Sequence, residues 1–410
     1  MPKKIEKNLV VGLDIGTSKV TAIVAEADED GNLDIIGVGV HRCQGLKKGV
    51  VVNIDATVQS VRKAVEEAEY MAGCKIHSVY TGIAGSHIKG FNSHGIVAIR
   101  DRVVDAHDVD RVIDAAKAIL IPPDQKILHI LPQEFVIDKQ AGIQEPIGLS
   151  GVRLEANVHM VTGSVSAAED IVTCVRNAGL EVEDIILEQL ASSEAILSDD
   201  EKQQGVCVID IGGGTTDIAV FLEGVIYYTA VIAVAGDQVT NDIAVALRTS
   251  IQAAESLKIQ HATALTRLAD QAQMIDVPTG GDTTRQVAVT KLAAVVEPRF
   301  EELLSLVRAE LEQHQLLDLL EAGIVMTGGS SKMPGVVELA ATVFEKSIRL
   351  GIPMGVSGLT EVVRNPIYST GVGLLKYGYR VREQQQTEGN TTPSFKGMVG
   401  RIKQWFQGHF

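Results

Sequence analysis

Two aspartates of this chain stand where an unpaired carboxylate is destabilising. Asp14 ends the apolar climb of LVVGLDIGTSKVTAIV, residues 9–24, and Asp210 ends that of VCVIDIGGGTTDIAV, residues 206–220. At the end of a strand buried on both faces, such a group must be paired or bound to a hydrated cation. Both aspartates are followed by Ile-Gly. After Asp210, Gly212, Gly213 and Gly214 make a turn without side chains, and Thr215, Thr216 and Asp217 lead into a second strand. After Asp14, the matching places hold Gly16, Thr17, Ser18 and Lys19. A turn stripped of Cβ atoms lets backbone N–H groups approach an anion, and flanking hydroxyls add hydrogen bonds. The predicted chemistry is the gripping of phosphate beside a cation. One Asp-x-Gly turn alone reads equally as an ordinary glycine-rich β-turn, so the repetition carries the reading. Neither copy matches Gly-x-x-x-x-Gly-Lys-Ser/Thr, nor a Gly-x-Gly-x-x-Gly that opens a helix. The cradle is therefore a hairpin without a helix dipole behind it, and two of them would hold one polyphosphate between them.

Elements that could position these turns recur with them. After the first hairpin come a third strand at 33–40, a helix at 58–71 with Val61, Ala64, Val65 and Ala68 on one face, and a strand at 78–83. After the second come a strand at 225–234 and a helix at 239–248. An α/β unit repeated at an offset of 196 residues (210 minus 14) predicts two similar domains facing one another, with the ligand site in the cleft between them. Between the repeats, 85–161 reads as an inserted module: a polar helix at 105–120, strands at 126–131 and 133–137 around Pro132, and a strand at 152–161. It serves either partner contacts or structural elaboration. AGIVMTGGSSKMPG, 322–335, reads as a buried strand turning at Gly328 and Gly329, with Pro334 set to begin a helix. It is an ordinary strand-to-helix turn or a third wall of the pocket. NPIYSTGVGLLKYG, 365–378, is a helix whose Ser369, Gly371 and Gly373 permit another helix to cross closely.

Composition bounds the alternatives. The chain has 410 residues, 45% hydrophobic and 22% charged, enough for two domains with real cores. A net charge of -15 argues against nucleic acid as a partner. Cys43, Cys74, Cys174 and Cys207 form no Cys-x-x-Cys pair and read as small core residues in a reducing compartment. The amino-terminal MPKKIEKNLVVGLDIG does not read as a secretory signal. No stretch reaches the roughly 20 apolar residues of a spanning helix, and a cytoplasmic protein is expected.

The tail reverses the sign of the chain. Residues 383–392, EQQQTEGNTT, contain no apolar side chain and predict a flexible tether. In the following SFKGMVGRIKQWFQGHF, Phe395, Met398, Val399, Ile402, Trp405, Phe406 and Phe410 draw one apolar stripe, and Lys396, Arg401 and Lys403 add three positive charges with no acidic residue. This predicts an interfacial membrane anchor, against the alternative of a terminal helix docked on its own domain. Basic residues near an anionic surface contribute roughly 1 kcal/mol each, so one such helix binds reversibly and many on one filament bind by avidity.

Together, the two hairpins, the Gly328-Gly329 turn and the late small-residue helix resemble the five-part nucleotide site of the actin, sugar-kinase and DnaK-type chaperone superfamily. Within it the chain is similar to the FtsA family of bacterial cell-division proteins over essentially its whole length, through LSGVRLEANVH (149–159), LASSEAIL (190–197), residues 205–220 and EPRFEEL (297–303). The resemblance implies an actin-like α/β fold of two repeated domains around a nucleotide cleft, with an FtsA-type inserted subdomain and a C-terminal amphipathic helix. It implies ATP with Mg²⁺ in the cleft: Asp14 and Asp210 orienting the hydrated Mg²⁺, Gly16, Thr17, Ser18, Lys19, Gly212, Gly213, Gly214, Thr215 and Thr216 at the phosphates, Gly236 in the same site, and Gly328, Gly329 and Ser330 at the adenosine. Glu255 and Lys258 match positions facing ribose and base, although their spacing of three is equally that of a surface ion pair. Glu188 or Gln189 falls where superfamily hydrolases orient the attacking water, and Glu188 is the catalytic candidate. The surrounding LEQLASS departs from the Glu-Pro pattern of the fast ATPases. At most a slow ATPase is expected, with the nucleotide acting mainly as a polymerisation switch.

The same resemblance assigns 1–84, 162–195 and 350–382 to the first actin-like domain, 85–161 to the insert, 196–226 and 313–349 to the second domain and 227–312 to its outer subdomain. A linker at 383–393 and the membrane helix at 394–410 follow. It implies a protein that polymerises at the cytoplasmic membrane, anchors FtsZ through the FtsZ C-terminal peptide and helps recruit later division proteins. Arg299 is the candidate for the acidic peptide, or else a plain surface salt bridge. The rivals are a small-metabolite kinase of the same superfamily and an actin-like scaffold of pilus or secretion machinery.

Overall fold

The computed structural model describes residues 8–28, 31–280 and 283–388. The predicted membrane helix, 394–410, lies outside the described residues. Among these, no helix is long and apolar enough to cross a membrane.

In the first repeat, Leu9–Ile15 (β1), Lys19–Ala27 (β2) and Leu33–Arg42 (β3) form an antiparallel meander. Their inner positions are mostly Val, Ile and Ala, which suit a sheet covered on both faces. A short hairpin, Leu46–Lys47 (β4) and Val50–Val51 (β5), leads to the helix Ile54–Ala72 (α1). This helix starts before the expected Val58 because the Asn53 side chain accepts the Ala56 N–H, and it ends at Gly73 in the left-handed conformation. Val61, Ala64, Val65 and Ala68 are buried as their spacing predicts. The small residues let β3 approach so closely that a Cβ on Gly39 would stand 2.6 Å from the Ala68 nitrogen.

Ser78–Ile83 (β6) precedes the insert, which is built from Lys89–Ala98 (β7), Ala106–Lys117 (α2), Gln125–Ile137 (β8), Gln140–Ile143 (β9) and Arg153–Ser164 (β10). The chain continues through Val165–Asn177 (α3), Glu181–Leu187 (β11), Glu188–Ile196 (α4) and Asp199–Gln204 (α5). The second repeat follows as Val206–Ile211 (β12), Thr216–Leu222 (β13), Val225–Ile232 (β14) and Gly236–Ala246 (α6). Its outer part holds Ile251–His261 (α7), Met274–Gly280 (β15), Thr283–Ala288 (β16) and Val289–Gln313 (α8). Gly323–Thr327 (β17), Val336–Phe344 (α9), Ile348–Leu350 (β18), Ser357–Gly358 (β19), Thr360–Val363 (α10) and Ser369–Glu388 (α11) complete the described chain.

The two main sheets run β11-β6-β1-β2-β3-β19 and β14-β13-β12-β17-β18. In each, the aspartate-bearing strand has its hairpin partner on one side and a parallel strand on the other, β6 for β1 and β17 for β12. The helices α4 and α11 cross between the sheets. One core joins Val10 and Ile23 of the first sheet to Val208 and Ala219 of the second through Ala191, Leu374 and Leu375. Gly373 lies against the Ala191 carbonyl, where no Cβ would fit, and a Cβ on Gly12 would meet the Gly371 carbonyl at 2.6 Å. The small residues of α11 therefore make the close crossing that the sequence predicts.

Three expectations change. The two strands around Pro132 are one strand of 13 residues, β8, in the four-stranded sheet β7-β10-β8-β9. Pro132 pairs with Val158 and Glu134 with Asn157, so Gln133 is an extra residue in a bulge, which absorbs the missing proline N–H and re-aims the side chain. The Gln133 amide donates to the Ile226 and Tyr227 carbonyls of β14 at 3.1 and 3.3 Å. Pro334 does not open a helix: α9 begins at Val336 after Gly335, whose φ of 86° only glycine adopts readily. The tether expected from residue 383 is helical through Glu388. Glu and Gln are good helix formers, and extending an existing helix avoids the cost of nucleation. The rest of the predicted linker, 389–393, lies outside the described residues.

Candidate functional site

The two hairpins are built alike to the atom. The Gly16 N–H donates to the Lys19 carbonyl at 3.0 Å, and the Gly212 N–H donates to the Thr215 carbonyl at 3.0 Å. Asp14 stands opposite Thr21 in its ladder, and Asp210 opposite Asp217. The turns face each other so closely that a Cβ on Gly213 would overlap the Ser18 hydroxyl and one on Gly214 would stand 2.6 Å from Thr17 Oγ1. Thr17 Oγ1 accepts the Gly49 N–H at 3.0 Å, which ties the β4–β5 turn to the first hairpin. Between the hairpins opens a cleft of about 490 Å³, lined by Asp14, Gly16, Thr17, Ser18, Lys19, Glu188, Asp210, Gly212, Gly213, Gly214, Thr215, Gly236, Glu255, Lys258, Gly328, Gly329 and Ser330. That volume is typical of small-molecule sites.

The floor of the cleft is rich in carboxyl groups. Burial lifts Asp14 to about 6, with Lys19 opposing the shift and Asp210 adding to it. Burial also raises Asp210, against the hydroxyls of Ser192 and Thr370 and the charge of Lys19. Asp217 is pushed to about 8, first by burial and then by Asp210, and its Oδ1 is buried without a hydrogen-bond partner. Glu188 lies well above the ordinary range through burial and then Asp14, Asp217 and Asp210. Lys19 is lowered by burial despite Asp14 and Asp210. Its ammonium donates to the Ile367 carbonyl and to Thr21 Oγ1 at 3.2 Å. Four carboxyl groups gathered near Lys19, largely withdrawn from solvent, make a site that a cation would stabilise.

At the other end, the Glu255–Lys258 pair is partly withdrawn from solvent. The two meet at 2.7 Å with Lys258 only 10% exposed. Lys258 also donates to the Gly236 carbonyl at 3.1 Å and to Thr240 Oγ1 at 2.8 Å, while Thr240 donates to Glu255. Ser330 Oγ donates to the Gly212 carbonyl at 2.8 Å, joining the Gly328-Gly329 turn to the second hairpin. At Gly328, with φ of 86°, a side chain would collide with Asp210 Oδ1 and the Ile211 carbonyl. Ile259, Met333, Pro334 and Ile367 supply apolar wall.

Two candidate residues are not brought to the cleft. Thr216 is buried and donates to the Val234 carbonyl at 2.8 Å, because alternation along β13 turns it away from the face that Thr215 and Asp217 share. Gln189 is fully buried and its amide has no partner, so of the Glu188-Gln189 pair it is Glu188 that faces the cleft. Arg299, expected at a partner surface and not in the cleft, lies on α8 outside the cleft, bound to Asp242 at 2.5 and 3.2 Å and to Glu302. Asp217, Lys332, Met333 and Thr370 line the cleft without having been predicted there. Asp217 was legible, since period-2 alternation from Thr215 puts it on the same face. Thr370 comes from the crossing helix and has no local signal.

The family described as "Cell division protein FtsA" matches residues 207–373, and that described as "SHS2 domain inserted in FTSA" matches residues 85–162. The chain is 57% identical to a cell division protein FtsA of Pseudomonas aeruginosa, covering 98% of each chain. It is 41% identical to that of Escherichia coli K12, covering 100% of each. Among solved structures it is similar to the PilM-PilN type IV pilus biogenesis complex (TM-score 0.66, 16% identity, 90% of this chain and 98% of that one). It is likewise similar to MreB5 of Spiroplasma citri bound to ADP (0.58, 15%, 94% and 100%) and to the MamK double helical filament (0.51, 13%, 90% and 98%). The structural likenesses establish an actin-like fold and the family match at 85–162 an SHS2 insert, and the full-length relatives favour neither the kinase nor the pilus-scaffold alternative. This chain belongs to the FtsA family, the actin-like bacterial cell-division proteins.

Proposed function

We propose that this protein binds ATP with Mg²⁺ in the cleft, polymerises on the cytoplasmic face of the inner membrane at the division septum, and anchors FtsZ there while helping to recruit later division proteins. The observation that carries the nucleotide part is the pair of facing hairpins, where Gly213 and Gly214 leave no room for side chains and both aspartates are buried. The residues fit the group: a carboxyl-rich floor with an unpartnered Asp217 oxygen suits a hydrated cation, and bare turns with Thr17, Ser18 and Thr215 hydroxyls suit phosphates. Asp14 and Asp210 would hold the hydrated Mg²⁺, Lys19 would face phosphate charge, and Glu255 with Lys258 would face the ribose and base. Bound Mg²⁺ would neutralise phosphate charge and the surplus of carboxylates. A protonated Glu188 would donate a hydrogen bond to water at the end of the phosphates, and an ionised one would accept a hydrogen bond from it. MreB5 bound to ADP and MamK as a double helical filament support nucleotide binding and self-assembly as readings for this fold.

The membrane part rests on the amphipathic stripe of residues 395–406 with Arg401 and Lys403. For FtsZ, the outer subdomain and Arg299 remain the proposed contact, with the refinement that an acidic peptide would have to compete with Asp242 and Glu302 for the guanidinium. Arg299→Glu should weaken binding of an FtsZ C-terminal peptide, and unchanged affinity assigns the contact to another surface. The experiment for the whole reading is co-sedimentation with anionic vesicles, full length against a chain ending at Pro393, with and without Mg-ATP. Pelleting of the full-length chain alone, strengthened by Mg-ATP, is expected. Both chains remaining in solution would remove the membrane function.

A further inference from the structure

The Asp210 carboxylate is gripped from outside both hairpins. Ser192 Oγ, on α4, donates to Asp210 Oδ2 at 2.5 Å. Thr370 Oγ1, on α11, stands 3.4 Å from the same oxygen and 3.1 Å from Ser192 Oγ. Ser192 is fully buried, and Thr370 is nearly so at the wall of the cleft. α4 and α11 are the two helices that cross between the sheets, in contact where Gly373 lies against the carbonyl of Ala191, the neighbour of Ser192. One carboxylate oxygen of the second sheet therefore reports on both members of the crossing. Its other oxygen, Oδ1, lies on the side that Gly328 leaves free of a side chain.

A hydroxyl that donates to a carboxylate fixes the plane in which its other oxygen points, and such outer partners commonly control the affinity of a metal site. We infer that Ser192 and Thr370 are positioning residues for the cation end of the cleft, and that through them the packing of the two crossing helices is tied to cation occupancy. This rests on the proposed reading of Asp210 as a holder of hydrated Mg²⁺. A cation that draws the carboxylate toward the cleft pulls on two hydroxyls at once, and both are anchored in backbone that spans the two sheets.

The test is calorimetric titration of the full-length protein with ATP, in Mg²⁺ and in EDTA, together with amide hydrogen exchange over residues 189–195 and 369–375. In the wild type, Mg²⁺ should strengthen ATP binding, and Mg-ATP should slow exchange in both segments. Ser192→Ala and Thr370→Val should each lose about 10-fold in affinity in Mg²⁺, lose little in EDTA, and show no slowing at the crossing. Ser192→Thr, which keeps the hydroxyl, should restore the Mg²⁺ effect. Variants that keep the full Mg²⁺ effect and the slowed exchange overturn the inference alone. So does a loss that is equal in Mg²⁺ and EDTA and is not restored by Ser192→Thr, since that marks a structural role. If Ser192→Ala does not fold, Thr370→Val decides by the same readouts. A wild type that gains nothing from Mg²⁺ overturns the reading of Asp210 and the inference with it.

Discussion

In the first hairpin Asp14 shares its turn with Lys19 and faces Thr21 across the ladder; in the second, Thr215 occupies the place of Lys19, and Asp210 faces Asp217. The backbone repeats with the same turn bond and the same register. The side chains do not repeat. The first turn presents an ammonium held by the Ile367 carbonyl and Thr21. The second presents a second carboxyl group and is braced by hydroxyls from the crossing helices. A repeated cradle thus carries unequal charge, an ammonium on the first wall and a further carboxyl group on the second. The backbone turn sets where an anion can approach, and two side-chain positions per copy decide which charge each wall offers.

The largest expected effect lies at the buried carboxylates. Asp210→Ala should lower Mg-ATP affinity by more than about 100-fold, since removing mere outer partners of a metal already costs about 10–100-fold. Undiminished binding by calorimetry would remove the second hairpin from the site. Next comes the close approach of the turns. Gly214→Val places atoms 2.6 Å from Thr17 Oγ1 and 2.8 Å from the Lys48 Cα, whereas the nearest neighbour of a Cβ on Gly212 is the Thr215 carbonyl at 3.2 Å. The former should cost roughly 1–3 kcal/mol in urea unfolding and part the hairpins, while Gly212→Ala should be much milder. Equal costs would mean that the turns do not bear on one another.

The repeats also differ in what they carry, because the first lobe's insert leans on the second lobe. His159 of β10 is fully buried between Asn92 Oδ1 at 2.7 Å and Thr229 Oγ1 of β14 at 2.8 Å. Burial holds it down at about 4. A histidine depressed in the folded chain takes up its proton more readily when unfolded, so the stability linked to it is complete above about 6.5 and is lost as the pH falls toward about 4. Unfolding free energy should fall by about 2 kcal/mol between pH 6.5 and 5 through this group, and His159→Gln should flatten that slope. A variant with the same slope as the wild type would place the proton uptake elsewhere. Smallest is Lys19→Met, which removes the one feature that most distinguishes the first turn: ATP affinity in EDTA should drop about 10-fold, the worth of one charged hydrogen bond. No drop would leave the polarity of the walls without consequence for phosphate.

Much of the site was legible because hairpin chemistry is local. A strand, a turn and the next strand are contiguous, so Asp14 through Lys19 and Asp210 through Thr215 could be read as units. Thr216 belongs to the same run, but the alternation of a strand turns its side chain away from the cleft and brings Asp217 to it. Glu255 and Lys258 could not be separated from a surface ion pair by spacing, and the Thr240 hydroxyl and Gly236 carbonyl that bind them arrive from α6. Pro132 looked like a break until β10 supplied a partner strand able to accept a bulge.

The sequence alone determined the repeat, the two phosphate-suited turns, the small residues for a close helix crossing and the apolar, basic stripe at the end of the chain. Each depends on residues near one another along the chain, whose conformational limits and periodicity act locally. Tertiary structure decided which hydroxyls meet Asp210, how far Arg299 is already committed to Asp242, and that a bulged Gln133 and a buried His159 join the insert to β14. Those contacts link residues from 18 to 160 positions apart, and only the packing of the two sheets and the insert brings them within the few ångströms at which hydrogen bonds form.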